Sequence, residues 1–140
     1  RSKKVGVLFQ SHFLIKELTV LENISIPYIL NNIEDHPDPI FLLKKFDLFS
    51  KRNKYPSQLS GGEAQRISLI RAIINKPDYI VADEPTAHLD KENINIMIKL
   101  ISYLKINYQM SFIIATHDER LCDLADKIYY LNNGKLTLDS

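Results

Sequence analysis

Two adjacent acids, Asp83 and Glu84, follow the apolar run Tyr79-Ile80-Val81-Ala82. Neighbouring side chains on a strand point to opposite faces, but at its carboxyl end both can reach one crevice. Asp83 is placed to hold Mg2+ through oxygen, directly or via water, and Glu84 can polarise an attacking water. His117 closes a second apolar run, residues 111–116, where its ring can reach a terminal phosphate and stabilise transition-state charge. Gln10 closes a third, Val5-Gly6-Val7-Leu8-Phe9, and can set its amide oxygen on the same metal ion. Ser60-Gly61-Gly62-Glu63 opens a helix. Its glycines let backbone N–H groups approach an anion, and the helix dipole adds positive potential. Singly, these residues also read as a plain helix cap, solvated acids and a capping or core histidine. Their order decides between the readings, because each falls at a strand end or helix start in one chain direction, with Leu89-Asp90 between Glu84 and His117.

The elements that must position them follow from pattern. Strands are expected at 5–9, 79–82 and 111–116, the last two as runs buried on both faces of a parallel sheet. Between the first and second the chain reads as mainly helical. Thr19 with Glu22 forms a capping box, and Pro27 ends or kinks that helix. Asp38-Pro39 starts a second helix over 40–49, residues 51–57 form a loop, and Ser60 caps a third helix. Apolar spacing from Ile94 to Leu104 gives a helix over 91–107, and residues 118–126 make a short helix. Asn133-Gly134 marks a tight hairpin between 127–131 and 135–138.

Composition narrows the field. The chain has 140 residues, 45% hydrophobic and 25% charged, which suits one ordinary folded domain or part of a larger one. Lys plus Arg is 18 against 17 Asp plus Glu, a formal charge of +1, so no nucleic-acid partner is expected. The single cysteine, Cys122, cannot form an internal disulfide and suits a reducing compartment. No apolar run is long enough to span a bilayer, and no signal-peptide core follows the basic start Arg1-Ser2-Lys3-Lys4. The basic cluster Lys44, Lys45, Lys51, Arg52 and Lys54 reads most simply as a solvated face, with contact to a membrane partner or lipid headgroups as the alternative.

These motifs together resemble the ATP-binding-cassette (ABC) ATPases. Leu59-Ser60-Gly61-Gly62-Glu63-Ala64-Gln65-Arg66 resembles the family signature, and Tyr79-Ile80-Val81-Ala82-Asp83-Glu84-Pro85 its Walker B strand with the catalytic glutamate. Ala87-His88-Leu89-Asp90 matches the D-loop, Thr116-His117-Asp118 the switch histidine and Phe9-Gln10 the Q-loop. Thr19-Val20-Leu21-Glu22-Asn23-Ile24 and Tyr55-Pro56-Ser57-Gln58 are similar to the subgroup of lipoprotein-releasing and macrolide-export ATPases, although that subgroup often carries Gly-Asn in place of Ala87-His88. The resemblance implies an α/β fold, a P-loop NTPase-like (RecA-like) parallel sheet with an ABC helical subdomain. Residues 1–12 would be the Q-loop strand, 13–75 the helical subdomain and 76–140 the core.

It further implies a transport-coupled ATP hydrolase with ATP and Mg2+ as cofactors. Glu84, His117 and Gln10 would be catalytic, Asp83 and Gln10 the metal ligands, and Ser60, Gly61, Gly62, Glu63, Asp83 and Asp90 the nucleotide-binding set. A second ABC subunit, packed head to tail, and integral membrane permease subunits would be partners, on the cytoplasmic face of the inner membrane. The phosphate loop G-x-x-x-x-G-K-[ST] does not occur in these residues. Arg1 is therefore expected to fall mid-domain, with the first half of the ATP site missing and the stretch inactive alone. Two alternatives stand beside this reading. One is the carboxyl-terminal lobe of a DNA-repair or chromosome-maintenance ATPase, opposed by prolines where heptads would be needed. The other is a non-catalytic, ATPase-derived interaction domain.

Overall fold

The computed structural model describes residues 5–32, 34 and 36–139, so the basic start at residues 1–4 lies outside it. Three strands, β1 (Val5–Leu8), β2 (Tyr79–Asp83) and β3 (Ser111–Ala115), form a parallel sheet in the order β1-β2-β3. Helices α1 (Val20–Leu30), α2 (Pro39–Lys45) and α3 (Gly61–Ile73) occupy the first crossover, and α4 (Lys91–Tyr108) the second. The register sets Leu8 beside Ala82 and Asp83 beside Ala115. All three carboxyl ends therefore finish along one edge.

Local chemistry explains most of the boundaries. Thr19 and Glu22 make the expected capping box, Asp38 caps α2 with Pro39 in its first turn, and Ser60 with Glu63 repeats the box on α3. Asn133 and Gly134, at φ 49° and 75°, turn the hairpin of β4 (Tyr129–Asn132) and β5 (Lys135–Leu138).

Several expectations are corrected. Helix α1 does not end at Pro27 but runs to Leu30. Burial of Val20 and Ile24 holds it on α3, and the Pro27 carbonyl accepts from the side-chain amides of Asn31 and Asn75. Helix α2 stops at Lys45, well short of Phe49. Asp47 adopts φ 56°, Leu48 N–H donates to Leu43 O, and Asp47 N–H donates to Lys44 O, closing a Schellman turn with Leu43 and Leu48 both buried. Short 3-10 turns at Phe49–Lys51 and Pro56–Gln58 replace the expected plain loop, and Glu119–Leu124 is likewise 3-10 rather than α-helical.

The sheet is also not buried on both faces. Leu8, Ile80 and Ala82 face the helices and join Ile67, Ile70, Met97 and Ile101 in the core. The opposite face presents Val5, Val7, Val81 and Ile113 to solvent, because among the described residues only one side of the sheet is covered. The continuous apolar runs of β2 and β3 are those of strands meant to be covered on both sides.

Close packing of α3 on β1 depends on Gly6, where an added Cβ would lie 2.3 Å from Ala72 O. Gly6→Ala should therefore destabilise the protein by roughly 1–3 kcal/mol in denaturant unfolding. An unchanged midpoint would show that α3 can stand off from the strand.

Candidate functional site at the strand ends

The turn after β2 carries the main cluster. Glu84 sits at φ 45°, an uncommon conformation for a residue with a side chain, and its N–H donates to Ala115 O at 2.8 Å. That bond ties the turn to the end of β3 and brings the two side chains that follow β3 onto the carboxylate. His117 Nδ1 lies 2.7 Å from Glu84 Oε1, and Thr116 Oγ1 donates to Oε2 at 3.1 Å. Partial burial pushes the Glu84 carboxyl up, but the His117 and Thr116 hydrogen bonds and the His117 charge outweigh it and hold it below the usual carboxylate range. With Nδ1 engaged, the largely exposed His117 ring can offer Nε2 to a ligand. The following turn is braced from beneath. Buried Thr86 donates to Asp118 Oδ2 at 2.9 Å, and Arg120 pairs with the same carboxylate, which holds Asp118 low. Glu84, His88, His117 and Arg120 line a cleft of about 500 Å³.

Gln10 and Asp83 complete this edge. Asp83 is the last residue of β2, and Gln10 lies two positions beyond Leu8, the last residue of β1, which pairs with Ala82. Together they offer an amide oxygen and a carboxylate, hard donors suited to magnesium. Among the described residues no cluster of three or more His, Cys, Asp or Glu could hold a metal by itself. A two-residue donor set fits an ion that keeps several waters and shares phosphate oxygens with a nucleotide.

The loop around Gln10 is fastened to α3 by contacts that periodicity does not reveal. Gln65, buried, donates to Phe9 O and meets His12 Nδ1 through its Oε1. Ser68 Oγ donates to His12 O at 2.9 Å. Arg71 spans two carbonyls, His12 O at 2.8 Å and Phe13 O at 2.6 Å, and its burial lowers its own pKa. Gln65, Ser68 and Arg71 recur every three residues and so share one face of α3.

Ser60 and Gly61 are held differently. Glu63 Oε2 accepts from Ser60 N–H at 2.9 Å while Ser60 Oγ accepts from Glu63 N–H at 3.2 Å, and Lys51 pairs with Glu63 Oε1. The Ser60 hydroxyl proton remains available to a ligand. The two glycines then divide the work. Gly61 is exposed, and an added Cβ there would meet nothing within 4 Å. Gly62 is buried against Asn93, whose Oδ1 would lie 2.0 Å from such a Cβ. Asn93 is fixed in turn by Arg66 Nη1 at 2.8 Å and by Asp90, the cap of α4, through its backbone N–H and its side-chain amide. Asp90 thus serves α4 and Asn93, and Asn93 N–H leads the interactions that lower its pKa. The sequence singles out Asp90 and includes Gln65 and Thr116 in its motifs without a role, but gives no sign of Asn93, Ser68 or Arg71.

Comparisons with known proteins give the family. The family model for the ABC transporter matches residues 1–87, and the chain belongs to that family. It is 43% identical over 139 residues to the lipoprotein-releasing system ATP-binding protein LolD of Buchnera aphidicola from Acyrthosiphon pisum, covering 97% of this chain and 61% of the relative. LolD of Blochmanniella floridana is 38% identical over 144 residues, again with 61% of its length covered. The ATP-binding cassette MJ0796, solved as a dimer in a post-hydrolysis state bound to ADP and Pi, superposes with a TM-score of 0.82 at 31% identity, over 96% of this chain and 61% of that one. The chain therefore spans about three fifths of these relatives.

Two outcomes follow from the site. Gly62→Ala should destabilise the protein by roughly 1–3 kcal/mol by displacing Asn93, whereas Gly61→Ala should be neutral or stabilising by up to about 1 kcal/mol in the same unfolding experiment. The carboxyls of Glu84, Asp90 and Asp118 are all held low. Their contribution to stability is complete above the ordinary value of about 4 and is lost as pH falls through the lowered ones. Thermal unfolding midpoints should drop on acidification below about pH 4, and Asp118→Asn should flatten that drop.

Proposed function

We propose that this chain forms most of the ATP-hydrolysing motor subunit of an ABC transporter acting in lipoprotein release. The observation that carries the reading is the Glu84 carboxylate, held at the end of β2 by His117 and Thr116 from the end of β3. In this role Glu84 orients water and accepts its proton, while Asp83 and Gln10 would hold magnesium. His117 contacts the terminal phosphate through Nε2. Bound magnesium would supply charge neutralisation at the phosphates. The chain's own part is positioning and electrostatics.

Ser60, with the backbone N–H of exposed Gly61, serves the nucleotide of a second copy packed head to tail. The dimeric MJ0796 cassette supports that arrangement. The phosphate cradle is furnished by polypeptide outside residues 1–140. The greater length of the relatives and the uncovered apolar face of the sheet support this. Residues 1–140 by themselves hydrolyse ATP negligibly for that reason. The helical block over 13–75 receives integral membrane subunits, and no described helix is long and apolar enough to cross a membrane itself. The subunit would thus sit peripherally on the cytoplasmic face of the inner membrane. Similarity to two LolD proteins supports lipoprotein release as the transport step.

In the intact subunit with its membrane partners, Glu84→Gln should lower ATP turnover by about 10²–10⁴-fold while bound ATP persists in a closed dimer. Turnover at the parental rate would remove Glu84 from the chemistry.

A further inference from the structure

We propose that His88 is a positioning residue for Gln10, fixing which end of its side-chain amide faces the strand-end site. The proposal rests on the reading of Gln10 as a magnesium ligand.

Gln10 Nε2 lies 3.1 Å from His88 Nε2, a bond between residues 78 positions apart that joins the loop after β1 to the turn between β2 and α4. An amide nitrogen only donates, so the imidazole Nε2 accepts and the ring proton resides on Nδ1. The Gln10 amide is planar, and anchoring its nitrogen on His88 turns Oε1 the other way. That is the atom a hard cation needs. Without His88 the amide can rotate freely and present oxygen or nitrogen alike.

Both ends of this contact are built to hold still. Flanking Gln10, the carbonyls of Phe9, His12 and Phe13 are fixed to α3, which leaves the side-chain torsions as its main freedom. His88 adopts φ 63°, inside a turn closed by Ala87 N–H to Glu84 O and Leu89 N–H to Thr86 O. Histidine is among the few residues with side chains that visit this region readily. The same turn holds Glu84, so Gln10 and the water-orienting carboxylate share one mechanical support.

The test uses the nucleotide-free intact subunit labelled with 15N. The Gln10 side-chain amide should give a resonance distinct from freely rotating amides, and His88→Ala should move it to the free position. In a Glu84→Gln background, which suppresses turnover, Mg2+ is then titrated against bound ATP. His88→Ala should raise the half-saturating Mg2+ concentration roughly threefold to tenfold, the worth of one ordinary hydrogen bond. His88→Asn, whose Oδ1 can accept the same N–H, should restore it to within about twofold. An amide resonance unmoved by His88→Ala, or equal half-saturation in the two proteins, overturns the proposal. If Gln10→Ala leaves Mg2+ half-saturation unchanged while the resonance does shift on His88→Ala, the contact is real and the magnesium role of Gln10 is what fails.

Discussion

A single carboxylate, that of Glu84, depends on the whole parallel sheet for its orientation. It follows β2 directly, and the groups that hold it, Thr116 and His117, follow β3; the pairing of Asp83 with Ala115 brings them level. A slip of one residue would send these side chains to the other face and dissolve the cluster. The left-handed backbone at Glu84 is kept by its N–H bond to Ala115 O, so local strain and strand register stabilise one geometry together. The electrostatic result is an acid kept ionised beside an imidazole, a state suited to ordering water.

Helix α3 is the second organising part. It is capped at Ser60, packs through Gly62 on Asn93, holds the 9–13 loop with Gln65, Ser68 and Arg71, and lies against β1 at Gly6. One rigid element thus carries the serine and glycine of the signature at its tip and the loop of Gln10 along its side. A push on the helical block would move both. In the proposed head-to-tail pair those groups would serve different nucleotides, which would give a physical route for the two sites to sense each other.

The sequence was informative wherever a short local pattern sets the structure. The capping boxes at Thr19 and Ser60, the Asp38-Pro39 start and the Asn133-Gly134 turn each satisfy their own backbone groups, so their neighbours suffice to identify them. The strand-end residues were legible because strands stop abruptly at polar groups. Helix α2 was overextended because Phe46 and Leu48 look helical, whereas tertiary burial of Leu43 with Leu48 and the conformation of Asp47 end it sooner. Helix α1 continues past Pro27, where an end or a kink is expected, because burial of Val20 and Ile24 offsets the proline's cost. Gln65, Arg71, Asn93 and His88 were invisible as functional neighbours, since each acts on a backbone or side chain far away in sequence and no spacing rule encodes such a partner. Exposure of one sheet face was equally illegible, because apolar runs report the cover a strand is built for and not the cover that these residues provide.

The central claim is that the ends of β1, β2 and β3 meet the metal and terminal phosphate of a nucleotide. Paramagnetic broadening by Mn2+ with a non-hydrolysable ATP analogue, read on the labelled intact subunit, tests it most directly. The side-chain resonances of Gln10 and His117 and the backbone amides of residues 83 and 84 should broaden first, ahead of those in the β4–β5 hairpin. Broadening centred elsewhere, with the strand-end resonances left sharp, would contradict it.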